Sequence, residues 1–325
     1  MHAYIIRRLL ILIPTMFLVS IMVFFLVNLI PGDIIDAMRS KAMDAVLDRA
    51  AIEKAMGLDR PLIVQYITWL GLYPQPNGSF SGIIQGNFGV SWWQSIPVAQ
   101  LIAPRWPVTL ELGILALLIA QLIALPVGVV SALRQDTVVD YITRSFAILC
   151  IAVPSFWLGS MILVFPALWW GYMPPIMYVP ITENLKENLQ ILLVPAIVMG
   201  MAMAGMTMRM MRTMMLEVQR QDYIRTAWAK GLRERVVVMR HALKNALIPV
   251  ITLIGLQAPV LIGGAVVIER IFSLPGMGRL LMDAINGKDQ PLVMGIVILF
   301  AVVMVVMNLL VDLTYAFLDP TVQYK

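Results

Sequence analysis

The amino-acid sequence predicts an all-α membrane protein. Hydrophobic residues make up 60% of the 325 residues, and charged residues only 13%. The mean hydropathy is +0.84, and six apolar stretches are each long enough to cross a bilayer as a helix. A soluble domain cannot bury this much apolar surface, whereas lipid can cover it. We therefore expect a protein that crosses the membrane several times.

Each apolar stretch is expected to form one transmembrane helix of about 20 residues or slightly more. The predicted spans are residues 9–30, 108–133, 145–169, 189–208, 247–268 and 292–318. The first span follows Arg7 and Arg8, as the apolar part of a signal peptide would. It is too long for a signal peptide and lacks a small-residue cleavage site, so we expect a helix that is retained.

The distribution of Lys and Arg predicts the orientation of these helices, because cytoplasmic loops carry an excess of basic residues. Residues 209–244 contain nine basic and three acidic residues, whereas residues 31–105 contain six of each. Arg7 and Arg8 add positive charge near the N-terminus. We expect both termini and the 209–244 loop in the cytoplasm, and residues 31–105 outside. The basic charge is thus attributed to membrane topology and not to a nucleic-acid partner.

Two outside segments carry helix and turn signals. Within residues 31–105, an Ala-rich stretch is expected to form a short helix that stops at Gly57. The second segment, residues 272–291, has a turn at Pro275-Gly276 that should open another short helix. Both outside segments are therefore expected to be partly helical.

The sequence lacks the residues that several kinds of active site need. It has two histidines, His2 and His241, and one cysteine, Cys150, so no Cys/His metal cluster and no disulfide can form within the chain. It contains no Gly-x-Ser-x-Gly elbow and no Gly-x-x-x-x-Gly-Lys-Ser/Thr phosphate loop. We expect no catalytic residues, no metal site and no cofactor on this chain.

Few ionisable residues fall in or beside the predicted spans, which argues against ion-coupled transport. Glu111 lies near the outer end of the second span, Arg144 at the inner end of the third, and Asp312 within the sixth. A proton- or sodium-coupled carrier normally has carboxylates near the midplane, and Asp312 is the only candidate. An energy source on another chain is the better explanation.

The centre of the basic loop is predicted to form a short amphipathic helix. Asp222 can cap its N-terminus, and Gly231 is expected to stop it. Tyr223, Ala227 and Trp228 fall on one face at helical spacing. A second helix is expected to carry an apolar stripe into the fifth span, formed by Val236, Met239, Leu243 and Leu247. Such a loop can dock on a partner protein or lie on anionic lipid.

Residues 199–215 include nine methionines. Their thioethers could line a path for a soft metal or a variable ligand. However, they occupy several faces of the predicted helix, with Gly200, Ala204 and Gly205 between them. We favour deformable packing between helices.

Sequence motifs along almost the whole chain carry a family resemblance. In the loop they are Asp222-Tyr223-Ile224-Arg225-Thr226-Ala227, Ala229-Lys230-Gly231 and His241-Ala242-Leu243-Lys244-Asn245-Ala246-Leu247-Ile248-Pro249. Elsewhere they include Thr109-Leu110-Glu111-Leu112, Pro154-Ser155-Phe156-Trp157-Leu158-Gly159 and Asn308-Leu309-Leu310-Val311-Asp312. With these motifs in this order, the chain resembles the permease subunits of ATP-binding-cassette (ABC) importers, in the dipeptide, oligopeptide and nickel branch. Arg225-Thr226-Ala227 stands where the general importer loop has Glu-Ala-Ala, and this departure also resembles that branch.

The resemblance implies the type-1 ABC importer permease fold, with six transmembrane helices and both termini cytoplasmic. The expected parts are an N-terminal transmembrane helix (1–30), an extracytoplasmic segment (31–105) and an ABC transmembrane type-1 domain (96–318) that contains a cytoplasmic coupling loop (209–246). The expected location is the cytoplasmic (inner) membrane of a bacterium or archaeon.

The resemblance also implies that the short helix of the loop is a coupling helix that docks on an ATPase subunit. The residues expected at this contact are Asp222, Tyr223, Ile224, Arg225, Thr226, Ala227, Trp228, Lys230, Gly231 and His241. Four further residues are expected either to line the pathway or to pack helices together: Glu111, Glu269, Asn308 and Asp312. For Asn308 and Asp312 we favour hydrogen bonds to a neighbouring helix.

The implied transporter has several chains. A sister permease subunit would complete a heterodimer, two ATP-binding subunits or domains would hold ATP and Mg, and an extracytoplasmic solute-binding protein would deliver cargo. Membrane lipid would surround the permeases, and no nucleic acid is involved. This chain would be a transport subunit and not an enzyme, and would form half of the pathway for di- or oligopeptides. Nickel chelates, glutathione-like compounds and oligosaccharides are alternative cargoes, and an ion-coupled secondary transporter or a membrane scaffold is an alternative of another class.

Overall fold

The computed structural model of the chain describes residues 2–29, 48–75, 78–171, 175 and 177–318, and within these ranges the side chains of residues 10–311. This part of the chain is helical, apart from connecting segments and one isolated β-bridge between Val90 and Pro97. The helices are α1 (His2–Asn28), α2 (Arg49–Met56), α3 (Leu62–Leu70), a 3₁₀ turn (Ile83–Gln85), α4 (Val98–Ile102), α5 (Trp106–Leu133), α6 (Val138–Ala152), α7 (Ser155–Trp170), α8 (Leu185–Gln219), α9 (Asp222–Ala229), α10 (Glu234–Val236), a π-helical segment (Val237–Ala242), α11 (Leu243–Gln257), α12 (Val260–Ile271), α13 (Met277–Gly287) and α14 (Gln290–Leu318).

The prediction of an all-α membrane protein is confirmed for the described residues. Five helical stretches are long and apolar enough to cross a membrane: Leu10–Asn28, Trp106–Leu133, Leu185–Gln219, Glu234–Gln257 and Gln290–Val311. The bent pair α6–α7 makes a sixth if it is counted as one span. The order of these stretches agrees with that of the six predicted spans.

The third span differs from the prediction of one helix over residues 145–169. It begins earlier, at Val138, and breaks after Ala152, where α6 and α7 meet at an angle of 94°. Val153 is extended, with φ −81° and ψ 121°. A residue that precedes proline is pushed out of the helical region by the proline ring, and Pro154 follows it. Residues 138–170 therefore form two short helices and not one.

Helix α8 is much longer than the predicted span, residues 189–208. It begins earlier, where the Asn184 side chain accepts a hydrogen bond from the Lys186 amide at 3.1 Å, and it continues to Gln219. Its 35 residues correspond to roughly 52 Å, whereas the hydrocarbon core is about 30 Å thick. The first part of the basic loop is therefore a rigid extension of the span.

The fifth span, predicted as one helix over residues 247–268, is also interrupted. Helix α11 ends at Gln257, and α12 begins after Pro259, which has no amide hydrogen to continue the helical ladder. On its other side α11 is continuous with a π-helical segment, Val237–Ala242. Single π turns inside helices are rare and occur often at functional sites.

Two helix boundaries in the predicted outside segments are confirmed. Helix α2 ends at Gly57, which adopts φ 71°, and its N-cap Asp48 accepts a hydrogen bond from the Ala50 amide at 3.1 Å. The Ala-rich stretch begins before Asp48, outside the described residues. Helix α13 begins at Met277, directly after the turn at Pro275 and Gly276, as predicted.

The chain divides into two compact units. Unit 1 comprises Met1–Pro107 and Gly276–Val305, and contains α1–α4, α13 and the first part of α14. Unit 2 comprises Val108–Pro275 and Val306–Lys325, and contains α5–α12 and the rest of α14.

Unit 1 is held together by an aromatic cluster and a polar contact. Phe24 of α1 packs edge-to-face on Tyr66 of α3, with ring centroids 5.3 Å apart. The buried Asp289, just before α14, accepts hydrogen bonds from the Ser91 hydroxyl at 2.5 Å and from the Trp92 amide at 3.2 Å. This carboxylate ties the segment after the 3₁₀ turn to the start of α14.

Unit 2 is built around α8, which packs closely on α5 and α6. A Cβ atom at Gly200 would lie 2.6 Å from the carbonyl oxygen of Ala116, and one at Gly205 would lie 2.6 Å from that of Ala147. Only glycine permits this approach of helix backbones.

The methionines of α8 mostly pack inside unit 2. The buried ones are Met199, Met203, Met208, Met211 and Met215, and they belong to its two apolar clusters. Met206 is exposed. These positions agree with the interpretation of the Met-rich stretch as helix packing.

Candidate functional site

The predicted amphipathic helix of the basic loop exists as α9, and two residues separate it from the end of α8. Its N-cap is Gln221, so the prediction that Asp222 caps the helix is wrong. Asp222 is instead the first helical residue, where a negative charge is favourable, and its carboxylate lies 3.4 Å from Arg225. Gly231 follows the helix at φ 71°, in agreement with the predicted stop.

The two faces of α9 differ from the prediction that Tyr223, Ala227 and Trp228 share one apolar face. Ile224 and Ala227 form the buried face, with 1% and 6% of their surfaces exposed. Tyr223 and Trp228 are 42% and 47% exposed, and thus lie on the outer side. This helix of eight residues has apolar residues on both of its faces, so spacing alone did not identify the buried one.

The buried face of α9 is anchored in an apolar cluster that contains residues from α5, α8, the π-helical segment and α11. Its buried members are Ala132, Met211, Met215, Ile224, Ala227, Val237, Val238, Ala242, Ala246 and Val250. A displacement of α9 must therefore displace the end of α8 and the start of α11, because packed cores are close to incompressible.

The helix that follows α9 also differs from its predicted orientation. Val236 and Met239, part of the predicted apolar stripe, are 38% and 55% exposed, whereas Val237 and Val238 are buried. The outward stripe borders an open groove of about 450 Å³, lined by Met239, Arg240, Leu243, Lys244 and Leu247. The packed side of this helix is one residue away from the predicted one.

A hydrogen bond connects α9 to α11 at the surface. The Asn245 amide nitrogen donates to the Tyr223 hydroxyl at 2.7 Å and to the His241 carbonyl at 3.1 Å. His241 is half-buried in the π-helical segment. Of the residues predicted for the partner contact, Asp222, Tyr223, Arg225, Thr226, Trp228, Lys230 and Gly231 are exposed, and Ile224 and Ala227 are not.

Close to α9, a buried ion pair joins three helices, and the sequence analysis missed it. Asp140 of α6 has no exposed surface, and it accepts two hydrogen bonds from Arg212 of α8, at 2.8 and 2.7 Å. Its carboxylate also accepts from the Ser131 hydroxyl of α5 at 2.6 Å and from the Asp136 amide at 3.1 Å. This arrangement, which we call the Asp140 latch, fixes α8 to α5 and α6.

Glu111, one of the predicted pathway or packing residues, belongs to a hydrogen-bonded network in unit 2. Its carboxylate accepts from the Tyr178 hydroxyl at 2.7 Å and from the Asn188 amide at 2.8 Å. Asn188 also donates to the Val179 carbonyl at 2.9 Å. Burial, together with the Glu111 carboxylate, raises the pKa of Tyr178, so its hydroxyl stays protonated and donates. The network ties the segment before α8 to the start of α5.

Glu269 of α12 is fully buried, and its carboxylate accepts a hydrogen bond from the Thr109 hydroxyl of α5 at 2.6 Å. Glu111 lies two residues after Thr109 on the same helix. Both carboxylates are thus used in contacts that bring α12 and the segment before α8 onto one end of α5.

Asn308 and Asp312 were predicted to bond to a neighbouring helix. Asn308 is exposed, and within the described residues it makes no hydrogen bond to another helix. The side chain of Asp312 lies outside the described part of the chain. The preference for a hydrogen bond between helices, over a place in the pathway, therefore stays a prediction for both residues.

A second buried polar contact that the sequence did not reveal lies where the fifth span is interrupted. The side chains of Gln257, at the end of α11, and Thr207 of α8 lie 3.4–3.5 Å apart. Gln257 also donates to the Met203 carbonyl at 3.4 Å. A side-chain amide that hydrogen-bonds to polar groups of a neighbouring helix stabilises the helix pair in lipid.

Unit 1 contains a cavity of about 560 Å³ with a mixed lining. Its polar lining includes Gln65, Gln75, Asn87 and Ser91, and the indole nitrogen of Trp69 is buried there without a hydrogen-bond partner among the described residues. Among all the residues that the structure describes, no group of three His, Cys, Asp or Glu side chains is placed to hold a metal ion.

Comparison with protein families gives two matches that together extend from residue 1 to residue 324. Residues 124–324 match the model of the binding-protein-dependent transport system inner membrane component. Residues 1–113 match the model of the N-terminal part of the same membrane component.

Curated proteins with full-length similarity are named as permeases. The chain is 38% identical to the oligopeptide transport system permease protein AppB of Bacillus subtilis, over all of both chains. It is 35% identical to the dipeptide transport system permease protein DppB of Escherichia coli, again over all of both chains. A putative peptide transport system permease protein of Brucella abortus is 39% identical, with the same full coverage.

Proposed function

Because this chain belongs to the family of binding-protein-dependent transport system inner membrane components, an ABC importer permease family whose members are transport subunits and not enzymes, we propose that it forms half of a pathway for di- or oligopeptides. The other half would come from a sister permease, and an extracytoplasmic solute-binding protein would deliver the peptide. Two ATP-binding subunits or domains would hold ATP and Mg and supply the energy. The full-length relatives named for peptide transport support this cargo.

The coupling element in this proposal is α9. Its outer side presents Tyr223, Thr226 and Trp228 for a helix-in-groove contact with an ATPase subunit, and Arg225 and Lys230 rim that face. Ile224 and Ala227 belong to the inner side and act as anchors instead of contact residues. His241 and Gly231 lie at the borders of this surface.

The observation that carries the proposal is the division of α9 into an outer aromatic face and an inner anchored face. An ATPase that moves the outer face also moves Met211 and Met215 of α8, because the inner face packs on them. Helix α8 extends across the membrane from there, so the motion reaches the pathway as a rigid-body rotation. The Asp140 latch transmits part of this motion to α5 and α6.

The proposed topology places α9 in the cytoplasm. The basic loop and the arginines near the N-terminus support cytoplasmic positions for both termini in a bacterial or archaeal inner membrane. We propose the domain boundaries 1–30, 31–105 and 96–318, with the coupling loop at 209–246.

Transport by the assembled complex tests the cargo and the energy source together. The chain is coexpressed with the sister permease, the ATP-binding subunits and the binding protein of its complex, purified with them, and reconstituted in vesicles with labelled di- and oligopeptides. We expect peptide uptake that requires ATP and the binding protein and does not depend on a proton or sodium gradient. Uptake of nickel chelates, glutathione or oligosaccharides in place of peptides would contradict the proposed peptide cargo. Gradient-driven uptake without ATP would contradict the assignment as a subunit of an ATP-driven importer.

A matched pair of tryptophan variants tests the role of α9. Trp228→Ala removes an exposed side chain from the outer face, whereas Trp170→Ala removes one from the end of α7, where Trp170 is 73% exposed. We expect Trp228→Ala to lower ATP-driven uptake at least about tenfold, as loss of an aromatic hot-spot residue does, and Trp170→Ala to leave uptake unchanged. Equal effects of the two changes would contradict the assignment of α9.

A further inference from the structure

A narrow cleft in unit 2 lies between α5, α6 and α8, next to the Asp140 latch. It has a volume of about 20 Å³, and its lining includes Arg144 of α6 and Arg209 of α8, with Thr143 and Gly128 beside them. A volume of this size accepts one oxygen-sized atom. The cleft can therefore take one oxygen of a ligand beside Arg144 and Arg209, while the rest of the ligand remains outside.

The charges at the cleft are not balanced within the described part of the chain. Arg212, the third arginine of the lining, is neutralised by Asp140 at 2.7 Å. Arg144 and Arg209 have no carboxylate within salt-bridge distance among the described residues. Asp136 also acts electrostatically on Arg212, so three arginines and two aspartates leave a local net charge of +1, which is complementary to an anion.

The surroundings of Arg144 favour a ligand that is partly apolar. Its guanidinium carbon lies 5.9 Å from the centroid of the Tyr141 ring, which orients the side chain. One turn further along α6, Ile148 is 57% exposed on the same side of the helix. An acyl chain can lie along this apolar surface while its headgroup stays at the arginines.

A helix α8 that enters the hydrocarbon core near Leu185 carries Arg209 to the opposite edge of the bilayer. Arg209 is residue 25 of α8, counted from Leu185, so it lies roughly 36 Å along the helix, just beyond a hydrocarbon core of about 30 Å. Arginines at this depth face lipid phosphates.

We propose that Arg144 and Arg209 bind the phosphate of an anionic phospholipid in the leaflet next to α9, with one phosphate oxygen in the cleft and an acyl chain along α6. The guanidinium pair provides charge-assisted, planar hydrogen bonding, which suits a phosphate. Because the same cleft borders the Asp140 latch, the bound lipid joins α6 to α8 beside the coupling helix. This site is separate from the outer face of α9.

Native mass spectrometry of the full-length chain, purified with its copurifying subunits, tests the site. The protein is equilibrated in mild detergent with equal amounts of phosphatidylglycerol and phosphatidylcholine, and the retained lipid is counted. We expect retention of phosphatidylglycerol over phosphatidylcholine, and a loss of about fivefold for Arg144→Gln or for Arg209→Gln. Arg144→Lys should keep most of the preference, because it keeps the charge.

Arg134→Gln is the matched control. Arg134 is an exposed arginine between α5 and α6, and it does not line the cleft. We expect this variant to retain phosphatidylglycerol as the unmodified chain does. Equal loss in all three glutamine variants would show a general effect of surface charge and would overturn the site.

Two further measurements distinguish the lipid from a free anion and from a protein subunit at the cleft. Inorganic phosphate, added to delipidated protein, should give much less protection against thermal unfolding than phosphatidylglycerol, and equal protection would overturn the lipid assignment in favour of a free anion. If the Arg144→Gln/Arg209→Gln chain keeps its phosphatidylglycerol but loses a copurifying subunit, the cleft is a protein contact and the proposal fails.

Discussion

The Asp140 latch gives the most quantitative prediction of this structure. Replacement of Asp140 by Asn keeps the shape of the side chain but removes the charge that binds Arg212. The Asp140 side chain has no exposed surface and that of Arg212 is 20% exposed, so the arginine stays largely buried without its partner. Loss of one partner from a buried ion pair costs about 3–5 kcal/mol of unfolding free energy. We expect a loss in this range.

The assay is unfolding of the full-length chain in mixed micelles by titration with a denaturing detergent, followed by tryptophan fluorescence. Arg212→Met and the double variant Asp140→Asn/Arg212→Met complete a double-mutant cycle. We expect the double variant to lose less stability than the sum of the single variants, because it contains no unpaired buried charge.

An exposed ion pair on α9 is the control for this cycle. Asp222 and Arg225 lie 3.4 Å apart with 94% and 75% of their side chains exposed. Asp222→Asn should lower the unfolding free energy by no more than about 1 kcal/mol, because an exposed ion pair and an exposed charge at a helix N-terminus each contribute little. If Asp140→Asn were equally harmless, the latch would not contribute to stability and the argument from its burial would be refuted.

Three further changes test other parts of the structure. Gly231→Pro should abolish ATP-driven uptake but not membrane insertion, because proline cannot adopt the φ of 71° found there. Gly231→Ala, with open space around its Cβ, should reduce uptake only in part. Uptake by the proline variant at the normal rate would disprove the role of the loop. Gly205→Leu should destabilise the chain by about 1–3 kcal/mol in the same unfolding assay, because even a Cβ would lie 2.6 Å from the Ala147 carbonyl oxygen. An unchanged transition would show that α6 and α8 are not in close contact. Tyr178→Phe should cost about 1–2 kcal/mol by removing a hydrogen bond of 2.7 Å to Glu111, and no measurable change would show that the network is dispensable.

The sequence predicted the order of the membrane helices, and their number of six agrees with the structure if the bent pair α6–α7 is counted as one span, because apolar length is a strong signal in lipid. It did not predict the break at Pro154. Pro126, Pro166 and Pro195 lie inside continuous helices, since neighbouring helices in a membrane protein can satisfy the carbonyl groups that a proline leaves free. Whether a proline bends or breaks a span therefore depends on packing that a single span does not encode.

The position of helix α9 was predicted correctly, but the direction of its apolar face was not. Gly231 marks the end of α9 through its local backbone conformation, which is why the sequence reveals it. The buried face depends on the distant residues Met211 and Val237, which pack on Ile224. In a helix of only eight residues, an apolar face centred on Tyr223 and one centred on Ile224 fit helical spacing almost equally well.

The buried polar contacts were beyond sequence reasoning for another reason. Asp140 and Arg212 are 72 residues apart, and each alone looks like an ordinary charge at the end of an apolar stretch. The helix that contains Asp140 also begins seven residues before the predicted third span. Pairing of this kind depends on how α6 and α8 pack, which follows from the tertiary structure alone.

Site-specific crosslinking from the outer face of α9 tests the central claim most directly. The one native cysteine, Cys150, is buried, so cysteines introduced by Tyr223→Cys and Trp228→Cys are the reactive ones. Phe80→Cys, at an exposed position in unit 1, is the control from the proposed outside segment. The account predicts that both α9 cysteines crosslink to a copurified ATP-binding subunit, with a yield that changes when ATP is added, and that the control does not. Absence of this crosslink from both α9 positions in an active complex would contradict it.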